Sequence, residues 1–185
     1  MQVEPHVYPP ALPPAIVSAP HEEFPWYAIR VRPNRERCAA MALEGKGLPS
    51  FLPLCQERRN WANRIRIVER PLIPGYVFGR FNPDQRLPIL TIPGVLHVVG
   101  TKAGPLPVDA DEIAALQRIV SSPLFAERWP FLAVSQDVLI DAGPLSGLRG
   151  KLVGFKSEWR LVVSVTLLQR SVAVVVDRDW VRPDR

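Results

Sequence analysis

The chain has 185 residues and a mass of 20.7 kDa, which is enough for one medium domain or two small ones. Hydrophobic residues make up 47% and charged residues 22%, so the composition is globular and excludes wholesale disorder or a collagen-like fibre. The formal net charge is +5. The best apolar stretch, residues 161–176, is interrupted by polar side chains, so we expect no membrane-spanning segment and no membrane partner.

Residues 1–23 are predicted to form a disordered, proline-rich tail. Residues 1–25 hold seven of the 21 prolines and three acidic residues, with no Lys or Arg. This composition favours an extended, solvated chain over packing. The prolines also interrupt the apolar core that a signal peptide would need, so we expect a cytoplasmic protein.

Positive charge is concentrated in one segment of the remaining chain. Residues 26–185 carry a net charge of +8, and residues 26–70 alone carry +6, from ten basic and four acidic residues. Such a patch favours contact with phosphates and attracts anionic partners. The alternative is a solvated basic face that has no partner.

The first predicted element after the tail is a strand at Trp26–Val31, where bulky and β-prone residues alternate. Pro33 ends this strand, and Asn34 is the predicted N-cap of a helix that runs to about Glu44. The predicted apolar face of the helix comprises Cys38, Met41 and Ala42.

Two β-like segments, Ser50–Cys55 and Gly75–Phe81, flank the charged stretch Glu57–Arg70. A short helix opened by Asp84 is predicted within Asn82–Ile92. These elements continue the β and α alternation that began at the first strand.

A further strand is predicted at Val95–Val99, followed by a helix whose start is the D-x-x-E pattern of Asp109 and Glu112. The apolar residues at helical spacing behind this start are Ile113, Leu116, Ile119 and Val120. Together the elements predict an α+β N-terminal domain at 24–121, with helices flanking a mixed, mainly antiparallel sheet.

The pattern changes near Pro123, so residues 122–133 are predicted to be a linker and residues 134–185 a second domain. This second segment contains only short β-like runs separated by Gly and Pro. A piece of about fifty residues can cover its apolar face by curling into a small all-β barrel. The many valines favour strands there through β-branching, so we expect a permanent barrel.

The sequence offers little for catalysis. Outside the tail His97 is the one histidine, and Cys38 and Cys55 lack metal-binding or redox spacing. No nucleophile, phosphate-binding or dinucleotide motif is present, so we expect no enzyme, no cofactor and no metal. The two cysteines are predicted to be small core residues, and a hydrolase that pairs one of them with His97 is the remaining catalytic alternative.

Two segments carry a resemblance to a known family. PGYVFGRF at Pro74–Phe81 and TIPGV at Thr91–Val95 follow the WYAIRVRPN opening at the distances typical of the N-terminal domain of NusG-family transcription elongation factors. GPLSGLRGKLVGF at Gly143–Phe155 resembles the KOW motif, a glycine-bearing loop of a small SH3-like barrel. The chain is similar to this family over Phe24–Pro183.

The resemblance implies a noncatalytic, monomeric factor for transcription elongation or antitermination. Its N-terminal domain would bind the clamp helices of RNA polymerase in an apolar depression and modulate pausing or termination. The positions that carry over are Trp26, Tyr27, Pro74, Gly75, Tyr76, Phe78 and Pro93. Tyr76 suits an interface because a rigid aromatic ring with a polar tip binds at low entropic cost; the alternative is a place in the domain's own core.

The resemblance also places the basic stretch in a hairpin beside upstream and nontemplate DNA at the transcription bubble. The DNA-proximal residues would be Arg58, Arg59, Trp61, Arg64 and Arg66. Arginines can hold phosphates, and Trp61 could stack on an exposed base. The alternative is a solvated loop whose tryptophan packs inward.

The barrel of this family recruits a small-subunit ribosomal protein or the termination factor Rho. The corresponding positions are Leu145, Leu148, Gly150, Leu167, Leu168 and Arg170. LLQR stands where the family commonly has a Phe-Gly-Arg type of run, which leaves the partner open and favours a specialised paralogue of the polysaccharide-operon antiterminator type. The alternative function is a KOW-containing RNA-binding or ribosome-associated structural protein.

Overall fold

The computed structural model describes residues 24–61, 64–129, 136–155 and 158–184. The predicted tail at 1–23 and the last four residues of the predicted linker, 130–133, lie outside the described residues. Among the described residues, no helix is both long and apolar enough to cross a membrane.

The N-terminal part contains nine described strands and three α-helices. The strands are β1 (Trp26–Val31), β2 (Ser50–Phe51), β3 (Leu54–Trp61), β4 (Arg64–Pro71), β5 (Tyr76–Arg80), β6 (Val95–Val98), β7 (Gly100–Thr101), β8 (Gly104–Pro105) and β9 (Pro107–Val108). The helices are α1 (Glu36–Gly45), the one-turn α2 (Leu87–Leu90) and α3 (Ala110–Ser121). The predicted strands at 26–31 and 95–99 are confirmed.

The main sheet of this part is antiparallel, in the order β2-β5-β1-β6, and β9 also pairs with β1. Alternation along β1 divides its side chains between two cores. Tyr27 and Ile29 pack with residues of α1 and α2 on one face. Trp26 and Ala28 join an apolar cluster on the other face that also includes α3 and the C-terminal domain.

The N-cap predicted for α1 is wrong. Asn34 has a φ of 63°, which is left-handed backbone, and the N-cap position is occupied by Arg35 without a side-chain cap bond. Asn tolerates left-handed backbone better than most residues, so Asn34 serves the turn between β1 and α1 instead of capping the helix.

The predicted apolar face of α1 is wrong for two of its three residues, since only Ala42 packs against the core, and only in part. Cys38 is exposed, and the exposed fraction of Met41 is 71%. The residues that α1 buries are Glu36, Ala39, Ala40 and Leu43. The two alanines are small enough for close packing in the core cluster that they share with Tyr27 and Ile29.

The helix predicted within Asn82–Ile92 divides into a 3₁₀ turn at Pro83–Gln85 and the separate helix α2. The residue that opens the first turn is Asn82, whose side chain accepts a hydrogen bond from the Asp84 amide at 3.0 Å. Pro88 lies in the first turn of α2, where its missing N–H is tolerated, but the same missing donor prevents one continuous helix.

Helix α3 begins as predicted, since the Asp109 side chain accepts a hydrogen bond from the Asp111 amide at 2.7 Å. Glu112, the acid of the D-x-x-E pattern, instead contacts the C-terminal domain. Its two carboxylate oxygens lie 3.1 and 3.2 Å from the Thr166 amide nitrogen, which donates to them. Arg118 donates to the Ser146 carbonyl. Helix α3 therefore joins the two parts of the molecule.

The C-terminal part is a six-stranded antiparallel sheet in the order β10-β14-β13-β12-β11-β15, which confirms the predicted α+β domain followed by an all-β KOW-type domain. Its strands are β10 (Ala126–Trp129), β11 (Gln136–Ile140), β12 (Arg149–Phe155), β13 (Glu158–Val165), β14 (Arg170–Val176) and β15 (Val181–Pro183).

Strand β10 lies in the segment that was predicted to be a linker. It pairs with β14, and its Glu127 forms an ion pair of 2.7 Å with Arg160. Arg128 donates from Nε to the Pro71 carbonyl at 3.1 Å. The connection between the two parts is thus hydrogen-bonded to both of them.

Candidate functional site

Two Pro-Gly turns meet at the end of β1. The Gly75 carbonyl accepts a hydrogen bond from the Val31 amide at 2.9 Å, and the Gly94 carbonyl accepts one from the Arg32 amide at 2.8 Å. Consecutive amides of a strand point to opposite edges, so the two turns flank the C-terminal end of β1, one before β5 and one before β6. The Pro-Gly-Tyr and Pro-Gly-Val segments singled out in the sequence therefore lie at the same end of the sheet, on either side of β1.

Gly75 is required in the first of these turns. Its φ is +79°, and a Cβ at this position would lie 2.6 Å from Arg30 Nη1. Left-handed backbone is unfavourable for other residues, and a side chain here would also displace the guanidinium end of Arg30. The Gly75 amide donates to Glu36 Oε1 at 2.8 Å, so both hydrogen-bonding groups of this residue are in use.

Tyr76 is the aromatic side chain presented beside these turns. It is half-buried, and the Arg30 guanidinium carbon lies 4.6 Å from the centroid of its ring, which is a cation–π geometry. Arg30 and Tyr76 are also direct partners across β1 and β5. Pro74 and Pro93 are exposed on the two turns. We call Arg30, Pro74, Tyr76 and Pro93 the turn surface.

The other aromatic residues predicted for polymerase binding lie in the protein core. Phe78 is fully buried, and Trp26 is 7% exposed, in the apolar cluster that includes α3. Tyr27 is on the opposite face of the sheet, where its ring centroid lies 4.9 Å from that of Phe81. The structure thus groups Tyr76 with Gly75 and the two prolines, places Trp26 and Phe78 within the core, and separates Tyr27 from them.

Strands β3 and β4 form a hairpin that, within the described ranges, pairs with no other strand. The register sets Arg58 opposite Ile67, Arg59 opposite Arg66, and Trp61 opposite Arg64. Arg66 is exposed, and Ile67 has an exposed fraction of 63%. All the residues predicted to lie near DNA therefore belong to the outer part of this hairpin.

The acidic residues of the hairpin are located toward its base. Glu69 forms an ion pair of 2.7 Å with Arg37, and Glu57 forms one of 3.1 Å with Arg70. The segment beyond them, residues 58–68, contains four arginines and no acid. The positive charge of the hairpin is concentrated toward its tip, which suits contact with phosphates.

Two leucines predicted for partner binding in the C-terminal domain are core residues. Leu145 is fully buried and Leu148 is 5% exposed. Gly150 is a point of close approach, because a Cβ there would lie 2.8 Å from the Val162 carbonyl oxygen. These three positions contribute to packing within the C-terminal domain.

The remaining positions of that set lie at an edge next to helix α3. Leu167 and Leu168 are half-buried in the 3₁₀ turn Thr166–Leu168, and Arg170 is exposed at the start of β14. The amide of Thr166, the first residue of the turn, donates to Glu112 of α3. This edge therefore adjoins the contact between the two parts of the molecule.

The cysteines do not match the prediction that both are core residues, because Cys38 is exposed and Cys55 is half-buried. Burial raises the pKa of the Cys55 thiol above its usual value. A raised pKa reduces the thiolate fraction at neutral pH, which is the reverse of nucleophile activation. His97 is exposed on β6, and the described residues contain no group of three His, Cys, Asp or Glu that could hold a metal ion.

Sequence reasoning missed two residues of this site: Arg30, which belongs to the turn surface, and Glu36, which supports it. Glu36 is only 5% exposed although it is an acid, and its partner Gly75 is 39 residues away in the sequence. The alternation of β1 predicts a strand at Arg30 but does not identify Tyr76 as its cross-strand partner. No local pattern marks either contact.

The sequence of residues 24–117 matches the family model described as transcription termination factor NusG, a match over slightly more than half of the chain. A structure of Thermotoga maritima NusG, described as showing domain interaction, has a TM-score of 0.55 and 19% sequence identity. That similarity covers 89% of this chain and 99% of the other, and at this identity it supports the fold alone.

Two structures of an MjSpt4:Spt5 complex, conformations A and B, are more distant. Their sequence identities are 16% and 17%, and both TM-scores are 0.30, which is too low to support an argument. The similarity to conformation A covers 86% of this chain and 97% of the matched chain. The similarity to conformation B covers 85% of this chain and 95% of the matched chain. No curated protein matches the sequence. On the match of residues 24–117, the chain belongs to the NusG family of transcription factors.

Proposed function

We propose that this protein is a noncatalytic transcription elongation or antitermination factor that binds the clamp helices of RNA polymerase through its N-terminal domain. It modulates pausing or termination from that position and acts as a monomer in the cytoplasm. The observation that supports this proposal is the pair of Pro-Gly turns on consecutive amides of β1, beside which Tyr76 is presented under Arg30.

The turn surface has the properties of a binding site with a low ordering cost. Tyr76 is already restrained by the Arg30 guanidinium, and the rings of Pro74 and Pro93 fix the backbone on either side. Aromatic residues with few rotatable bonds are frequent hot spots, because little entropy is lost when they bind. Trp26 and Phe78 contribute by forming the packed layer of the same sheet face.

Sedimentation in a gradient separates this function from that of a ribosome-associated protein. We expect the full-length protein to migrate with RNA polymerase when a cell lysate is fractionated, because the proposed site recognises that enzyme. The measurement is an immunoblot across the gradient, with polymerase and ribosomal subunits as markers. Migration with ribosomal subunits and not with polymerase would contradict the proposal and favour the KOW-containing RNA-binding alternative, because the proposed ribosomal-protein contact adds to polymerase binding and does not replace it.

The hairpin of β3 and β4 is proposed to contact upstream or nontemplate DNA at the transcription bubble. Its support is the distribution of charge, with the acids paired near the base and the arginines beyond them. Contacts of this kind are electrostatic and independent of sequence, and they therefore weaken as salt rises. Trp61 is the cross-strand partner of Arg64 near the tip of the hairpin, and we propose that it stacks on an unpaired base.

Replacing Arg58 and Arg59 by alanine is expected to weaken binding to an elongation complex and to reduce its salt dependence. If each arginine holds one phosphate, the slope of log affinity against log salt concentration decreases in magnitude by about two. The measurement is a titration of a labelled elongation complex at several salt concentrations. The matched control removes two exposed charges elsewhere, in Arg86→Ala with Lys102→Ala. An equal change of slope in both variants would exclude a specific DNA contact.

The C-terminal domain is proposed to recruit the second partner, either a small-subunit ribosomal protein or Rho. Of the positions carried over from the family, Leu167, Leu168 and Arg170 are the partly or fully accessible ones, so the proposed contact is the edge that they form. The leucines keep this edge apolar but lack an aromatic shape, which supports a specialised paralogue over a housekeeping factor.

A further inference from the structure

Glu36 is a buried carboxylate that the proposed function does not yet use. It is the first residue of α1, and only 5% of it is exposed to solvent. Transfer of a carboxylate out of water is unfavourable unless hydrogen bonds compensate for it. Its Oε1 accepts a hydrogen bond of 2.8 Å from the backbone amide of Gly75, and bonds between a charged acceptor and an N–H are among the stronger ones in proteins.

This hydrogen bond completes the restraint of the Pro-Gly-Tyr turn. The Gly75 carbonyl accepts a hydrogen bond from the Val31 amide at 2.9 Å, and the Arg30 guanidinium occupies the space where a side chain on Gly75 would lie. Glu36 holds the remaining hydrogen-bonding group, the amide, from the helix side. The turn is therefore restrained by β1 on one side and by α1 on the other.

Tyr76 follows Gly75 directly, so the orientation of the Gly75 peptide determines where the Tyr76 ring projects. The Arg30 side chain links the two residues, because it contacts the Gly75 position and lies 4.6 Å from the Tyr76 ring centroid. A displacement of Gly75 would change both contacts at once. Restraint of a binding residue before the partner arrives reduces the ordering cost of binding.

We propose that Glu36 is a positioning residue for polymerase binding, which acts through the Gly75 amide to hold Tyr76 in its binding orientation. This role rests on the proposed function of the turn surface. Glu36 itself does not contact the partner, since its carboxylate is buried beneath the turn. Loss of the hydrogen bond leaves the helix and the sheet in place but lets the turn move.

The test compares Glu36→Ala with Glu36→Gln in the full-length protein. We expect Glu36→Ala to weaken binding to the cognate RNA polymerase about tenfold, as expected for loss of a hydrogen bond to a charged acceptor. We expect Glu36→Gln to recover most of the affinity, because its amide oxygen still accepts from Gly75. Hydrogen exchange at the Gly75 amide, followed by NMR, should be faster in Glu36→Ala than in Glu36→Gln or the original protein.

Two further variants separate the possible outcomes. Ala40→Gly lowers the stability of α1 without removing a contact to the turn. At a temperature where Ala40→Gly and Glu36→Ala are both folded, we expect Ala40→Gly to bind polymerase as the original protein does. Equal loss of affinity in Ala40→Gly and Glu36→Ala would overturn the positioning role. Normal binding by Glu36→Ala together with weak binding by Tyr76→Ala would overturn only this role, whereas normal binding by Tyr76→Ala would overturn the proposed function itself.

A shorter acid provides the test if Glu36→Ala does not fold. Glu36→Asp keeps the charge in the first turn of α1 but withdraws the carboxylate by one methylene from the Gly75 amide. We expect it to bind polymerase more weakly than Glu36→Gln, even though it preserves the charge. Binding equal to that of the original protein, with unchanged exchange at Gly75, would overturn the role.

Discussion

Replacing Tyr76 by alanine is expected to weaken binding to RNA polymerase roughly 30-fold, which corresponds to about 2 kcal/mol for the loss of an aromatic hot spot. The ring is half-buried beneath Arg30 and packs against the edge of the core cluster, so its removal takes contact area from the turn surface and disturbs the core less than truncation of a fully buried residue does. The measurement is an equilibrium titration of labelled protein with polymerase at one fixed salt concentration.

The control for this prediction is Leu87→Ala, since Leu87 is also a large apolar residue, has an exposed fraction of 72%, and belongs to α2 and not to the turn surface. We expect this control to bind as the original protein does. Circular dichroism should show that both variants have the same melting temperature within a few degrees. Full retention of affinity in a folded Tyr76→Ala protein would refute the proposed docking site.

Replacing Phe78 by alanine is expected to lower the free energy of unfolding by about 3 to 5 kcal/mol, the range for truncation of a buried phenylalanine. Phe78 is fully buried, and it stacks on Phe51 with a centroid separation of 6.1 Å in the cluster that also contains residues of α3. The surrounding sheet and helix cannot collapse fully into the cavity that remains. Thermal unfolding measured by circular dichroism should show a melting temperature lower by roughly 10 °C.

Leu87→Ala is also the matched control for stability, because truncation of an exposed leucine changes the free energy of unfolding by no more than about 0.5 kcal/mol. A Phe78→Ala protein with the melting temperature of this control would show that Phe78 is not the core residue described above. At temperatures where it remains folded, it should bind polymerase better than Tyr76→Ala does.

The contrast between Tyr76 and Phe78 shows how much a motif can and cannot predict. Both residues belong to the same Pro-Gly-Tyr segment and point to the same face of the sheet, since they are two apart on β5. The sequence motif predicts that Tyr76 and Phe78 belong to one binding site. Their burial differs because the middle of this face is covered by other elements, whereas the end of the strand beside the turn is partly open.

The sequence of β1 itself predicts on which face of the sheet Tyr27 lies. Adjacent residues in a strand face opposite sides, so Trp26 and Tyr27 cannot both join one depression on a single face of β1. The structure places Tyr27 with Phe81 in the core beneath α1. The family resemblance assigns Trp26 and Tyr27 to one binding site, but the strand alternation of β1 separates them.

Local sequence by itself determined the elements whose causes are local. The alternation at Trp26–Val31 specifies a strand, Asp109 and the apolar spacing behind it specify α3, and the valine-rich runs specify the C-terminal strands. Each follows from side-chain periodicity, capping or β-branching, which act over a few residues. The order of an α+β domain and an all-β domain follows from these elements.

Only the tertiary structure decided what those elements present to a partner. Glu112 has a helix-capping pattern in the sequence, but its carboxylate binds Thr166, 54 residues away. The two Pro-Gly turns come to the same end of the sheet because consecutive amides of β1 bind one turn on each edge, and Glu36 reaches Gly75 across 39 residues. Contacts between residues so far apart depend on how helices and strands pack together, and that packing is a property of the whole chain rather than of any segment.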